Sequence, residues 1–464
     1  MNPDTPTIYP AEALLPIKGE PAQTLINQTV KPVDIADRIQ TIDMVRGFAL
    51  LGILMMNIPV FGIDGSSTQQ ILNASHTTDY WTMATVSTLF EGTMRGLFSM
   101  LFGAGMILFT LNKKDVPGGL SVAEYYYRRL GLLVVFGLIN AYVFLWEGDI
   151  LFYYGLAGML LYPFRKAGAK WLLVLGLVCI GIGIYKTAAW YGDMRENRAG
   201  YKEAIAAEKA GTKPTEKQEE QKGAWSRFEG NFKPDTSRIN EGIREMRGSY
   251  GTVFNHLLPR NAGNETWGTY QGIWDMLSMM FIGMGLFVLG FFSNKRSTST
   301  YIMTLLIGYG LGIPLGWISF NDGLTGWVSN IATYVDTYRQ PHWLLYDVRR
   351  MLLAVGHASV LLLVFRSRAI PWLMKGLSNV GQMAFTNYLM QSIICSLFFF
   401  GYGLGNYNKL SYHQLYYVVG AVWIFQLIFS AIWLRYFKFG PFEWAWRSLT
   451  YWKKQGMRKK VVTL

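Results

Sequence analysis

Apolar runs of bilayer length recur along this chain, and they decide which solvent it folds in. A run of about 18 residues or more with few charges matches the hydrocarbon thickness of a membrane. About ten runs are read as spans: residues 45–62, 89–111, 130–146, 149–164, 171–190, 274–292, 301–320, 345–365, 384–402 and 416–436. Runs three and four are short and joined only by Glu147 and Gly148, so they form a tight helical hairpin. The expected fold class is all-α, a polytopic integral membrane bundle. Composition agrees, since 51% hydrophobic against 16% charged residues is not the balance of an ordinary soluble domain. Cys179 and Cys395 lie inside apolar runs and read as small buried hydrophobes.

Basic residues set the expected orientation. Alternate short loops hold Lys113, Lys114, Arg128 and Arg129, then Arg165, Lys166 and Lys170, then Lys295 and Arg296, then Arg366, Arg368 and Lys375. The C-terminal tail adds Arg447, Lys453, Lys454, Arg458, Lys459 and Lys460. Opposite loops are nearly free of bases, with Arg339 after run seven and Lys409 after run nine. Positive loops stay in the cytoplasm, so both termini are expected there. The same rule explains the net charge of +13 without a nucleic-acid partner.

Five segments follow. Residues 1–37 are a proline-rich, mobile cytoplasmic tail with no cleavable signal; 38–190 and 274–452 are membrane blocks; 191–273 is a polar helical insert on the outer side; 453–464 is a basic tail. The insert breaks near Gly211 and Pro214 and is open to two readings, a solvated cap or a lid over an outward pocket.

Polar residues are costly in a bilayer, so those in or beside the runs are candidates for function. Asp43 and Arg46 lie three apart at the mouth of run one, on one helical face, and Asn57 falls near its far end. On the outer side lie Glu91, Arg95, Asn140, Glu147, Asp149, Asp275, Asp347, Arg349 and Arg350, with His357 deeper. Glu147, Asp149 and His357 are the candidate general bases. Arg95 and Arg350 are candidates to bind an anionic acceptor or a developing oxyanion. On the inner side Arg38, Asp43, Arg46, Asn387 and Gln391 are placed to meet the phosphates of a donor such as coenzyme A. Interfacial ion pairing accounts for several of the charges equally, and contact with anionic lipid for Arg128 and Arg129. No phosphate-binding glycine loop, HExxH or GxSxG is present, and the five histidines have no metal-ligand spacing. No bound cofactor or metal is therefore expected. Small residues at Ser99 and Gly103, and at Gly308, Gly312 and Gly316, allow close helix approach and a homodimer.

Three stretches carry a resemblance. RIQTIDMVRGFALLGILMMNIPVFG, LFSMLFGAGM and GLINAYVFLWEGDILFYYGLAGMLL resemble the YeiB-type bacterial membrane proteins. VGQMAFTNYLMQSIICSLFFFGYGLG and FGPFEWAWRSLTY resemble the domain of unknown function that closes those proteins. That family is grouped with transmembrane acyltransferases such as heparan-α-glucosaminide N-acetyltransferase, whose opening has residues similar in spacing to Arg38, Asp43, Arg46, Gly47 and Asn57. The resemblance implies a multi-pass protein of the bacterial cytoplasmic membrane that moves an acyl group from cytosolic acyl-coenzyme A to a hydroxyl or amine acceptor. His76 does not match the spacing of that enzyme's outer-loop histidine, and Asn140 stands where YeiB-type proteins often have histidine. Asp149, in the retained GDIL, is then the expected catalytic carboxylate. The rival expectations are a permease for a small polar solute and a non-catalytic membrane sensor.

Overall fold

The computed structural model describes residues 39–65, 67–111, 120–232 and 235–459. The N-terminal tail, Arg38, Lys113, Lys114 and Lys460 lie outside the described residues. Apart from an isolated bridge between Phe437 and Arg458, the regular structure described is helical.

The first block runs α1 (Gln40–Gly62), α2 (Ser67–Asn73), α3 (Thr78–Leu89), α4 (Thr93–Thr110), α5 (Val122–Tyr142), α6 (Leu151–Leu161) and α7 (Ala169–Lys209). The insert supplies α8 (Glu216–Gly230), α9 (Thr236–Met246) and α10 (Tyr250–Gly263). The second block runs α11 (Thr269–Val288), α12 (Thr298–Ile318), α13 (Thr325–Ser329), α14 (Ile331–Thr337), α15 (Tyr346–Ser367), α16 (Pro371–Gln382), α17 (Ala384–Phe399), α18 (Tyr412–Tyr436) and α19 (Pro441–Tyr451). Among the described residues, 7 helical stretches are long and apolar enough to cross a membrane. They are α1, α3–α4, α7, α10–α11, α12–α13, α15 and α18; α6 and α17 are apolar but shorter. α5 carries Glu124, Arg128 and Arg129 in its first turns, and a capping box fixes its start, with Ser121 N donating to Glu124 Oε2 at 2.6 Å.

Several helices outrun their apolar windows. α7 continues 41 residues to Lys209, and α10 passes through a π turn into α11. Ala, Glu and Lys hold a helix as well in water as Leu does in lipid, so hydropathy marks the solvent and not the helix end. At Gly211, φ is +75°, and a capping box at Thr215 starts α8, which folds back along α7. Tyr191, Met194 and Trp225 of these helices pack with Ile331, Tyr334 and Val335 of α14 into a second small core. Arg198 and Lys202 pair with Asp336 across it, at 3.0 and 2.7 Å.

α1 is central, with Met44, Val45, Ala49, Leu50, Leu54 and Ile58 fully buried. α16 crosses it backbone to backbone. A Cβ on Gly47 would overlap the carbonyl of Leu377, and one on Gly381 the carbonyl of Asp43. Only glycine permits that approach. Below, the basic end is the end holding the start of α1 and α19, and the insert end is the opposite one.

Candidate functional site: a buried hairpin between two cavities

The third run does not reach Trp146 as a helix. α5 stops at Tyr142, where Val143 and Phe144 amides both turn back to the carbonyl of Ile139, and Leu145 takes φ +58°. The α5–α6 connection is therefore residues 143–150, longer than the Glu147-Gly148 joint expected. From it, the 11 residues of α6 and the 3-residue 3₁₀ turn after it run to the basic end. At about 1.5 Å per residue they rise roughly 21 Å, short of the roughly 30 Å of a hydrocarbon core. The hairpin thus lies within the bundle. Irregular backbone at that depth persists only where protein satisfies it or a cavity wets it. Here Ile150 N donates to the Tyr388 hydroxyl at 3.1 Å, and Asn264 Nδ2 donates to the Glu147 carbonyl at 2.9 Å.

Asp149 is the anchored carboxylate of this hairpin, 5% exposed. Its Oδ2 accepts from Phe152 N at 2.8 Å, which caps the start of α6. Its Oδ1 accepts from Asn140 Nδ2 at 2.8 Å, and the Tyr388 hydroxyl stands 3.5 Å away. Gly137 lets α5 pass close, since a Cβ there would lie 2.7 Å from Oδ2.

Toward the basic end lies a cavity of about 250 Å³. Its wall is apolar, with Phe98, Leu101, Phe102, Met106, Leu133 and Phe385. Tyr154, Tyr388 and Leu151 line it beside the hairpin, and Asp43, Arg46, Arg129, Glu443 and Arg447 line its other part. Arg46 Nη1 and Asp43 Oδ1 pair at 2.7 Å. The Arg129 guanidinium makes no ion pair among the described residues and stacks 3.8 Å from the Trp446 ring centroid. Glu443 accepts from Phe385 N at 2.7 Å and Thr386 N at 3.0 Å, so α19 caps α17 and seals that corner. Toward the insert end an open cleft of about 560 Å³ is lined by Asn57, Trp146, Glu147, Gly148, Pro259, Arg260 and Asn264, among others. Glu147 and Arg260 face each other across it at 3.4 Å.

The candidate residues thus divide. Asp43 and Arg46 line the first cavity, Asn57 and Glu147 the second, and Asn140 and Asp149 join within the partition. Arg95 and Arg350 instead meet Asp275, Arg95 at 2.9 Å, and Arg350 also pairs with Asp347 at 3.1 Å. Glu91 pairs with Arg349 and accepts from the Tyr346 hydroxyl at 3.1 Å. Three acids and three arginines here neutralise one another, so the expected anion-binding pair is already held by carboxylates. His357 lies apart, between Phe48 and Phe90. Its Nε2 donates to the Leu89 carbonyl at 3.1 Å, which leaves Nδ1 to accept from Tyr309 at 2.6 Å. Neither nitrogen is aimed at the hairpin. Asn387 and Gln391 do not line the basic-end cavity: Asn387 Nδ2 donates to Ser430 Oγ at 2.9 Å and Gln391 Nε2 to Gln426 Oε1 at 3.0 Å, tying α17 to α18. Tyr388, one residue round the helix, takes the cavity face instead. The residues that sequence reasoning passes over are Tyr154, Tyr388, Glu443 and Trp446, and Arg129, expected to contact anionic lipid, lines the cavity instead. Among the described residues no three His, Cys, Asp or Glu side chains gather to hold a metal.

Residues 286–453 match the family model described as "Protein of unknown function (DUF418)". Over 89% of the chain and 96% of the relative, it is 30% identical to the uncharacterized protein YeiB of Escherichia coli. The chain belongs to the YeiB family. It is also 28% identical to the uncharacterized protein YxaH of Bacillus subtilis, over 93% of this chain and 99% of that one. No solved structure matches. The DUF418 match begins in α11 and takes in α17 and α19, so in this YeiB-family chain it supplies Tyr388 and Glu443. The hairpin with Asn140 and Asp149 comes from the part before it.

Proposed function

We propose that this protein is an integral membrane acyltransferase, with an acyl-thioester donor in the basic-end cavity and an acceptor in the insert-end cleft. The observation that carries the reading is the pairing of an apolar, arginine-bordered cavity with a polar cleft on either side of one buried carboxylate. An aliphatic wall suits an acyl chain, and arginines suit the phosphates of coenzyme A. About 250 Å³ is less than the roughly 300 Å³ of a whole ligand pocket. It fits an acyl end and its arm, with the nucleotide left at the mouth. Asp149, oriented by Asn140 and the α6 amide, deprotonates the acceptor. The Tyr388 hydroxyl is placed to donate to a developing oxyanion. About ten spans, α5 and the shorter α6 and α17 included, and cytoplasmic termini put the arginine mouth on the cytosolic side of a bacterial inner membrane. The small residues expected to allow a homodimer instead pack within the chain, Gly103 against Met280, Gly308 against Leu352 and Gly316 against Thr88, so those faces offer no dimer surface.

The test is calorimetry of the detergent-solubilised protein against acyl-coenzyme A of graded chain length. Micromolar binding that Arg129→Gln weakens at least tenfold supports the reading. A folded protein that binds none of the series overturns it in favour of a permease.

A further inference from the structure

We infer that Trp146 is the gate between the insert-end cleft and Asp149, and that its indole, when closed, keeps water from the donor until an acceptor enters. The second half rests on the acyl-transfer reading; the first does not.

Asp149 lines neither of the two cavities. Tyr388 lines the basic-end cavity, and Trp146 and Gly148 line the insert-end cleft. These residues meet at the hairpin. The Tyr388 hydroxyl lies 3.4 Å from the Gly148 carbonyl and 3.5 Å from Asp149 Oδ1. The Trp146 indole packs on Gly148, where a Cβ would overlap its Cζ2, and its N–H is directed toward the Tyr388 hydroxyl. The Trp146 backbone N donates to the Asn140 carbonyl at 3.1 Å, and Asn140 in turn orients Asp149. A ligand in the cleft therefore meets the indole before the carboxylate. Trp146 is 2% exposed, so in this state that way is shut.

The way the indole is held suits a part that moves. It stacks on Phe61 of α1, with ring centroids 4.0 Å apart. No side-chain hydrogen bond reinforces the stack, because the approach of Nε1 to Tyr388 falls short of one and leaves a buried donor without a partner. A buried tryptophan N–H ordinarily finds an acceptor, and leaving it unmet is costly. Turning the indole aside thus breaks a ring contact but no hydrogen bond, and it frees a donor for a lone pair on the entering acceptor. The backbone bond to Asn140 stays as the pivot. Just before Trp146, Leu145 takes φ +58°, a strained conformation of the kind that gathers at clamps and switches.

Closure has a chemical use, since a shut site protects a reactive acyl group from hydrolysis. With the indole removed, water takes the place of the acceptor. It gives one proton to the Asp149 carboxylate, its oxygen attacks the thioester carbon, and the C–S bond breaks with its electron pair on sulfur. The proton on Asp149 passes to the thiolate, giving a carboxylic acid and a thiol. Trp146 would then decide between transfer and hydrolysis.

Two variants open the gate by different means. Trp146→Leu shortens the side chain, and Gly148→Ala puts a methyl group where the indole packs. In full-length protein without Cys179 and Cys395, Asp149→Cys reports access to the carboxylate position through its reaction with a water-soluble methanethiosulfonate. The reaction should be slow with the gate intact and about tenfold faster or more in either variant, as the open population rises. Equal rates with and without the two substitutions overturn the gate. With Asp149 restored, release of free thiol from acetyl-coenzyme A in nanodiscs, with no acceptor added, should rise by a similar factor in Trp146→Leu and be lost in Trp146→Leu combined with Asp149→Asn. Thiol release by the wild type as fast as by Trp146→Leu overturns the water-excluding role and leaves acyl transfer standing. Faster cysteine modification with no thiol release from any acyl-coenzyme A supports the gate while removing the acyl-transfer reading.

Discussion

At the scale of single residues, the account turns on a carboxylate whose neighbours fix both of its oxygens. Asp149→Asn keeps the size of the side chain but removes the base. Turnover should fall by about 10²–10⁴ while protein stays in the membrane, as read by an acyl-transfer assay alongside an immunoblot of the membrane fraction. Full activity in the Asn variant would remove Asp149 from the mechanism. Asp149 was legible in the sequence because a charge beside a run of apolar residues is costly and calls for a reason. Tyr388 was not, because a tyrosine in an aromatic-rich helix carries no such signal. Its role comes from the approach of α17 to a hairpin about 240 residues earlier in the chain. Asn387 and Gln391 show the converse. Their spacing announced a shared polar face, but that face meets Gln426 and Ser430, and no sequence pattern says which neighbour a polar face will find.

At the scale of elements, the crossing of α1 and α16 and the docking of the insert are separately testable. Gly47→Ala puts a methyl group against the Leu377 carbonyl. Overpacking of this kind costs about 1–3 kcal/mol, so the detergent-solubilised variant should melt several degrees lower in a fluorescence-detected thermal scan. An unchanged melting point would mean that α1 and α16 are not in close contact. The insert responds to pH through Asp336. Burial pushes its carboxyl up, but Arg198 and Lys202 outweigh that and hold it below the ordinary carboxylate range. A depressed carboxylate stabilises the docked form above its ordinary value of about 3.8, and that contribution is lost as pH falls through the lower folded value. Emission from Trp190, Trp225, Trp327 and Trp343 should therefore shift to the red as pH drops below about 4. Asp336→Asn should show the shift already at neutral pH; an unshifted spectrum would mean that these pairs do not hold the insert. The apolar runs marked where helices lie against lipid, but not where α7 or α11 begin and end, since helix-forming polar residues extend both into water.

For the whole molecule, the functional content lies in two cavities of opposite character separated by one buried hairpin, and its direction depends on which end is cytoplasmic. Single cysteines in a background without Cys179 and Cys395 settle that. A cysteine at Lys217 in the insert should react with a membrane-impermeant maleimide in intact cells, and one at Lys453 only after lysis. The bundle itself was readable from hydropathy because a bilayer imposes one length on every crossing helix. The site was less so, because it is built where α6 and α17 fall short of that length and where α5 gives way to the irregular connection 143–150. The decisive measurement is titration of acyl-coenzyme A into wild-type protein and Arg129→Gln by calorimetry, with Asp149→Asn as a control that leaves the donor cavity intact. Binding by wild type and Asp149→Asn alike, weakened at least tenfold in Arg129→Gln, is the predicted result. Absence of binding to the folded wild-type protein, or binding indifferent to Arg129, would contradict a donor site at the basic end.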